Sequence, residues 1–232
     1  NNKKNCGEFK MKKVISFCLW GSTPRYTIGA LKNAQLATQI YPDWTCRYYV
    51  AKCVPMSIIQ NLTMMSNTEL IVMNEPGDWN GMFWRFHPAS DPSVDVMISR
   101  DTDSRLTLRE KAAVDDWLAS DKDFHIMRDH PAHDAPIMGG MWGVRNRLLF
   151  NMVDLISEFP KGDFWQVDQN FLRSKVYPTI RNHACVHDEF FEKNPFPVPR
   201  EGGNDKEGNP MNFIGQVFNE HDADSREWWE GR

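Results

Sequence analysis

Short apolar runs alternate with stretches of helical periodicity through the first half of the chain. That alternation predicts an α/β fold, with a central, mostly parallel sheet and helices on both faces. Val14-Ile15-Ser16-Phe17-Cys18-Leu19 is an apolar run that stops at Gly21-Ser22-Thr23-Pro24. Ala30, Leu31, Ala34, Ala37 and Ile40 then recur at helical spacing, with Thr27 placed to cap the helix start. Cys46–Val50 and Leu70–Met73 read as further strands, with a helix over Val54–Met65 between them. Val94–Ile98 is the next buried strand. Thr107-Leu108-Arg109-Glu110 forms a capping box that opens a helix expected to bury Leu108, Ala112 and Trp117 or Leu118.

The second half is more mixed. Phe124–Met127 reads as a strand, Arg145–Phe159 and Trp165–Val176 as helices, and Cys185–His187 as a short strand. Between Pro195 and Pro210 the composition shifts to Pro, Gly, Asn and charge, which predicts a mobile loop. Its stretch from Arg200 to Pro210 is a candidate lid, with Arg200 or Lys206 closing over a bound anion; a plain surface loop is the alternative.

Composition narrows the class. At 232 residues the chain fits one domain, assigned to residues 11–232, with the polar residues 1–10 as a tail. A net charge of −4 gives no electrostatic reason to expect nucleic acid as a partner. No apolar run reaches the roughly 18 residues needed to cross a bilayer, and Asn1–Lys10 has no apolar core of a signal peptide. The five cysteines are odd in number and lack a CxxC pair, which argues against a disulfide scaffold or a structural zinc site. Reduced thiols in a cytoplasmic protein are the expectation.

The chemistry centres on Asp101-Thr102-Asp103, just past the carboxyl end of the Val94–Ile98 strand. Ligands of open α/β sheets bind at that edge. Two carboxylates one residue apart can converge on a hard cation such as Mg²⁺ or Mn²⁺, which binds through one or two carboxylates plus substrate phosphates. A solvated acidic turn beside a helix N-terminus is the alternative for the triplet taken alone.

An apolar strand ending in Ser99-Arg100-Asp101-Thr102-Asp103-Ser104-Arg105 resembles the DXD motif of GT-A fold glycosyltransferases. The N-terminal strand with its polar loop, a Trp-Arg element before the motif and a later Asp-Gln pair agree in order. The run, roughly residues 12–222, is similar to glycosyltransferases of large algal DNA viruses and bacteria. The resemblance implies a single GT-A domain using Mn²⁺ or Mg²⁺ and a nucleotide-sugar donor, UDP-linked by preference. It implies that Asp101 and Asp103 hold the cation. Leu19, Trp20 and Gly21 within Phe17–Ser22 would line the nucleotide pocket, with Arg25 and Tyr26 near the base or ribose. Trp84, Arg85, Arg100 and Thr102 join that set, with Trp79 close by. Gly139-Gly140-Met141-Trp142-Gly143, after His130, His133 and Asp134, would face donor sugar and acceptor, or else turn Trp142 into the core. Asp168 and Gln169 resemble the pair that faces the transferred sugar in retaining families, which leans the reading to retention. His187 would be a third metal ligand, with His183 and His221 as rivals, although the Lys-Pro-Trp that follows this histidine in the glycogenin-like family is absent. The implied reaction moves a hexose or deoxyhexose to a glycan or other hydroxyl acceptor. Two rivals stay open: another two-aspartate metal enzyme such as a nucleotidyltransferase, and a non-catalytic carbohydrate-binding module built on the nine tryptophans.

Overall fold

Alternation along each strand sorts the apolar side chains onto two faces, and each face is covered by its own helices. The computed structural model describes residues 10–225. Its strands are β1 (Lys13–Leu19), β2 (Thr45–Ala51), β3 (Thr68–Met73), β4 (Val96–Ser99), β5 (Phe124–Arg128), β6 (Trp142–Arg145) and β7 (Ala184–Asp188). They form one sheet in the order β3-β2-β1-β4-β6-β5-β7. Every pairing is parallel except those of β6, which runs antiparallel to β4 and β5. The mostly parallel α/β sheet expected from the periodicity is the one that forms. Nine of the ten residues assigned to the tail lie outside the described ones. Among the described residues, no helix is long and apolar enough to cross a membrane.

On one face, Ile15, Phe17, Leu19, Val96 and Ile98 pack with helices α1 (Pro24–Ile40), α2 (Met56–Met64) and α3 (Leu108–Ala119). Phe17 stacks on Tyr48 there, with ring centroids 4.8 Å apart. On the other, Val14, Met97, Phe124, Ile126, Trp142 and Val144 pack with a 3-10 segment (Trp79–Ser90), α4 (Met152–Glu158) and α5 (Val167–Phe171).

Several boundaries move for identifiable reasons. The N-cap of α1 is Thr23, with Pro24 opening the helix as its fixed φ favours. Thr27 lies inside the first turn, its hydroxyl 3.3 Å from the Thr23 carbonyl. In α3 the Thr107 hydroxyl accepts from the Glu110 amide at 3.1 Å, as a capping box requires. The Glu110 carboxylate does not reach back to the cap. It is buried, accepting from Tyr41 Oη at 3.0 Å and from Arg100 Nε at 3.2 Å. The inward face of α3 is therefore Arg109, Glu110, Ala113, Val114 and Trp117, and Leu108 is 72% exposed. The helix expected over Arg145–Phe159 starts only at Met152. Trp142–Arg145 is strand β6, and Asn146 and Arg147 at φ 61° and 56° turn the chain out of it. The helix expected from Trp165 begins at Val167 and continues past Phe171 through a π turn (Leu172–Val176) into α6 (Tyr177–Ile180).

The polar stretch after Pro195 is anchored at its start by Phe196, buried with Ala113, Met127, Met141 and Ile214, and further along by charge. Arg200 reaches Asp129 at 3.0 Å and Glu189 at 2.9 Å. Arg109 binds the same two carboxylates, at 2.8 Å and 2.7 Å.

The Tyr41–Glu110–Arg100 cluster generates a prediction. Removing one member of a buried ion pair strands its partner, which costs about 3–5 kcal/mol. Glu110→Ala should lose about that much in urea unfolding. Lys111→Ala, which breaks a pair with the exposed Asp115, should change stability by less than about 0.5 kcal/mol.

Candidate active site

The carboxyl ends of β1 and β4 open into a cleft of about 310 Å³. Leu19, Trp20 and Gly21 continue from β1 along one wall, and Tyr26 of α1 joins them. The Arg100 amide still donates to the Ser16 carbonyl at 3.0 Å, so β4 leaves the sheet only at Asp101. Helix α1 then clasps the acidic turn. Asn33 Nδ2 donates to the carbonyls of Thr102 at 3.3 Å and Ser104 at 2.8 Å, while its Oδ1 accepts from the Leu106 amide at 3.0 Å. Gly29 permits this approach: a Cβ there would lie 2.1 Å from the Thr102 carbonyl oxygen.

Arg85, from the 3-10 segment, spans the floor of the cleft. One guanidinium nitrogen donates to Asp101 Oδ1 and another to Asp168 Oδ2, the latter at 2.7 Å. Arg85 and Asp168 are both buried, and Asp101 is 41% exposed at its side chain. Backbone must come very close to this trio, and Gly139-Gly140 supplies it. A Cβ on Gly139 would lie 2.5 Å from both Arg85 Nη2 and Asp168 Oδ2, and one on Gly140 2.0 Å from Asp101 Oδ2.

The electrostatics follow from burial and like charge. Burial raises the Asp168 carboxyl above the usual range even though Arg85 pulls the other way. Burial, reinforced by the Asp101 charge, pushes the Asp103 carboxyl up to about 7. Burial would lower the Arg85 pKa, but Asp101 and Asp168 more than offset it and the guanidinium stays charged. Cys18, also on the lining, is pushed up to about 12 by burial and stays a thiol. Burial and the nearby His130 drive His133 down to about 3, which keeps its ring neutral. An acceptor-rich mouth over a fixed guanidinium can take a cation with an anionic ligand.

The structure brings together Leu19, Trp20, Gly21, Tyr26, Arg85, Asp101, Thr102, Asp103, Asp168 and Gln169 on one lining. It does not bring four other expected residues to that lining. Arg25 donates to Ser225 Oγ at 3.0 Å. Trp84 is buried edge-on to Trp20, with centroids 6.5 Å apart. Arg100 points away from Asp101, because successive strand residues face opposite sides, and pairs with Glu110. His187 is engaged by His125 at 2.9 Å and Asp116 at 3.1 Å and does not line the cleft. His183 and His221 are exposed elsewhere. Trp142 is fully buried against Phe86, while Gly139, Gly140 and Met141 of the same run, and His133 before it, line the cleft. No residue from 200 to 210 lines the cleft. Met82, Met138, Trp165, Gly215 and Val217 line it without having been expected. Nothing local in the sequence marks the two methionines or Trp165 as lining residues.

No protein-family model matches the chain, and no curated protein matches it in sequence. Solved structures do match. A glycosyltransferase involved in the glycosylation of the major capsid of PBCV-1 superposes with a TM-score of 0.50 at 19% identity, covering 77% of this chain and 82% of that one. Mannosyl-3-phosphoglycerate synthase from Rubrobacter xylanophilus gives 0.51 at 11% identity, over 77% of this chain and 65% of the other. A mannosyltransferase from Pyrobaculum calidifontis, in complex with GDP-Man and Mn²⁺, gives 0.53 at 11%, over 84% and 59%. The chain spans less than two thirds of these last two. The fold is the GT-A fold, as the motif implied.

The glycine pair carries the prediction of this site. Gly140→Ala forces Asp101 or the backbone to move and should destabilise by about 1–3 kcal/mol, the usual cost of overpacking. Gly203→Ala, where a Cβ meets nothing within 4 Å, should be near neutral. Paired urea titrations read both.

Proposed function

We propose that this chain is a divalent-cation-dependent glycosyltransferase that moves a hexose or deoxyhexose from a nucleoside-diphosphate sugar to a hydroxyl acceptor. One observation carries the reading: within the GT-A fold, Arg85 forks between Asp101 and Asp168 beside Asp103, at the strand ends where such sheets bind ligands.

The residues fit a hard cation. Asp101 and Asp103 are oxygen donors of the kind Mn²⁺ and Mg²⁺ take, and the side chain that Gly140 lacks leaves Asp101 Oδ2 its place. When bound, the cation would neutralise charge gathering on the departing diphosphate. His187 is no part of this set.

The chain's own residues divide the remaining work. Leu19, Trp20, Gly21, Tyr26 and Thr102 form the wall for the nucleoside, for which uridine is the preferred base. Arg85 holds Asp168 in one orientation, so its carboxylate need not reorganise as positive charge grows on the transferred sugar. Gln169, next along the lining, offers an amide to the same sugar. The resemblance of Asp168-Gln169 to the pair of retaining families is what leans this reading to transfer with retention of anomeric configuration.

Calorimetry with UDP and with GDP, each with and without Mn²⁺, tests the reading. Asp101→Ala and Asp103→Ala should remove the Mn²⁺-dependent part of nucleotide affinity; Asp101→Ala also takes a partner from the buried Arg85 and should lower the urea midpoint, so binding is read on the folded variants. Unchanged Mn²⁺-dependent affinity in both variants would sink the assignment. Separately, Asp168→Asn should lower turnover by at least about 10²-fold, as loss of a preorganised charge does, with donor affinity nearly unchanged. A loss confined to binding would make Asp168 a structural residue.

A further inference from the structure

The histidine expected at the donor cation sits in a cluster of its own. On β7, Cys185 and His187 are two residues apart and so share a face of the strand. Asp116, in the second half of α3, lies over that face. One carboxylate oxygen, one sulfur and one imidazole nitrogen from these three residues all lie within 4.8 Å of one another. The cluster is graded from solvent inwards, with Asp116 exposed, Cys185 half-buried and His187 buried, which leaves a way in for an ion.

The far side of the His187 ring is fixed as metal-binding imidazoles usually are, by a hydrogen bond from the other ring nitrogen. His187 Nε2 faces Asp116 Oδ2 at 3.1 Å, and His187 Nδ1 shares a hydrogen bond of 2.9 Å with His125 Nε2. His125 is fully buried and stacked on Trp117 at 5.2 Å, so it cannot turn away.

We propose that Asp116, Cys185 and His187 form a second cation site, separate from the cleft, that takes Zn²⁺ or an ion of like softness with water in the fourth position. Sulfur and imidazole nitrogen select against Mg²⁺ and Mn²⁺, which prefer oxygen, whereas one thiolate, one imidazole and one carboxylate suit tetrahedral zinc. A zinc tetrahedron has ligand–ligand edges of about 3.5 Å. The 4.8 Å limit therefore closes with small rotations of Asp116 and Cys185, the two less buried members. The absence of a CxxC pair hides such a site, because its ligands come from a helix and an edge strand far apart in the chain. An ion here joins α3, the helix that follows the acidic turn, to β7 at the edge of the sheet. The site does not depend on the glycosyltransferase reading.

Co²⁺ is the probe. Metal-stripped full chain is titrated with Co²⁺ while the near-ultraviolet thiolate-to-cobalt charge-transfer band and the visible d–d bands are followed. The expected result is one equivalent that shows the charge-transfer band and is displaced by Zn²⁺. The band should vanish in Cys185→Ser, weaken at least about tenfold in affinity in Asp116→Asn, and survive both Cys53→Ser and the pair Asp101→Ala, Asp103→Ala. Zn²⁺ should raise the Tm of the unsubstituted chain. No charge-transfer band at stoichiometric Co²⁺ in the unsubstituted chain overturns the proposal, and so does a band that persists in folded Cys185→Ser.

Discussion

A buried guanidinium is tolerated only where opposite charge and good hydrogen-bond geometry meet it, and Arg85 is the point on which the site turns. Its fork is shared between Asp101, at the end of β4, and Asp168, in α5. Three segments distant in sequence are thereby held to one another at the carboxyl edge of the sheet. The constraint extends to the backbone. Gly139 and Gly140 must lack side chains because the charged trio occupies the space in which a Cβ would stand.

Around that centre, polar ties do what apolar packing cannot do at a strand end. Asn33 fixes the acidic turn through two carbonyls and one amide. Behind the turn, Arg100, Glu110 and Tyr41 form a buried hydrogen-bonded cluster that links the ends of β4, α3 and α1. An acidic turn built in this way is held in place without filling the cleft. At the other side of α3, Asp129 gathers Arg109, Arg200 and the Ile214 amide, and so fastens the C-terminal segment whose Gly215 and Val217 complete the lining.

Donor chemistry separates the two places where the described residues could hold a cation. Asp101 and Asp103 offer only oxygen at the mouth of a cleft, a set suited to a hard ion that arrives with phosphate. Asp116, Cys185 and His187 offer oxygen, sulfur and nitrogen at the sheet edge. His187 belongs to the second group because β7 pairs with β5, on the far side of β6 from β4.

What could be read from residues alone is what local periodicity and local chemistry encode. The β1–α1–β2–α2–β3 alternation, the β4 strand and the paired aspartates just past it are of this kind, since burial on two faces leaves its mark on neighbouring residues. Tertiary structure alone decided the rest. Strand β6, short and interrupted by Gly143, has no periodicity to announce it, yet its place between β4 and β5 sets which residues meet. The sequence neighbours Arg100 and Asp101 face opposite ways, one to Glu110 and one to the cleft, because a strand reverses its side at every residue. The partners of Arg85 and His187 lie in remote segments, and no spacing in the chain records that the sheet order brings them within hydrogen-bond reach.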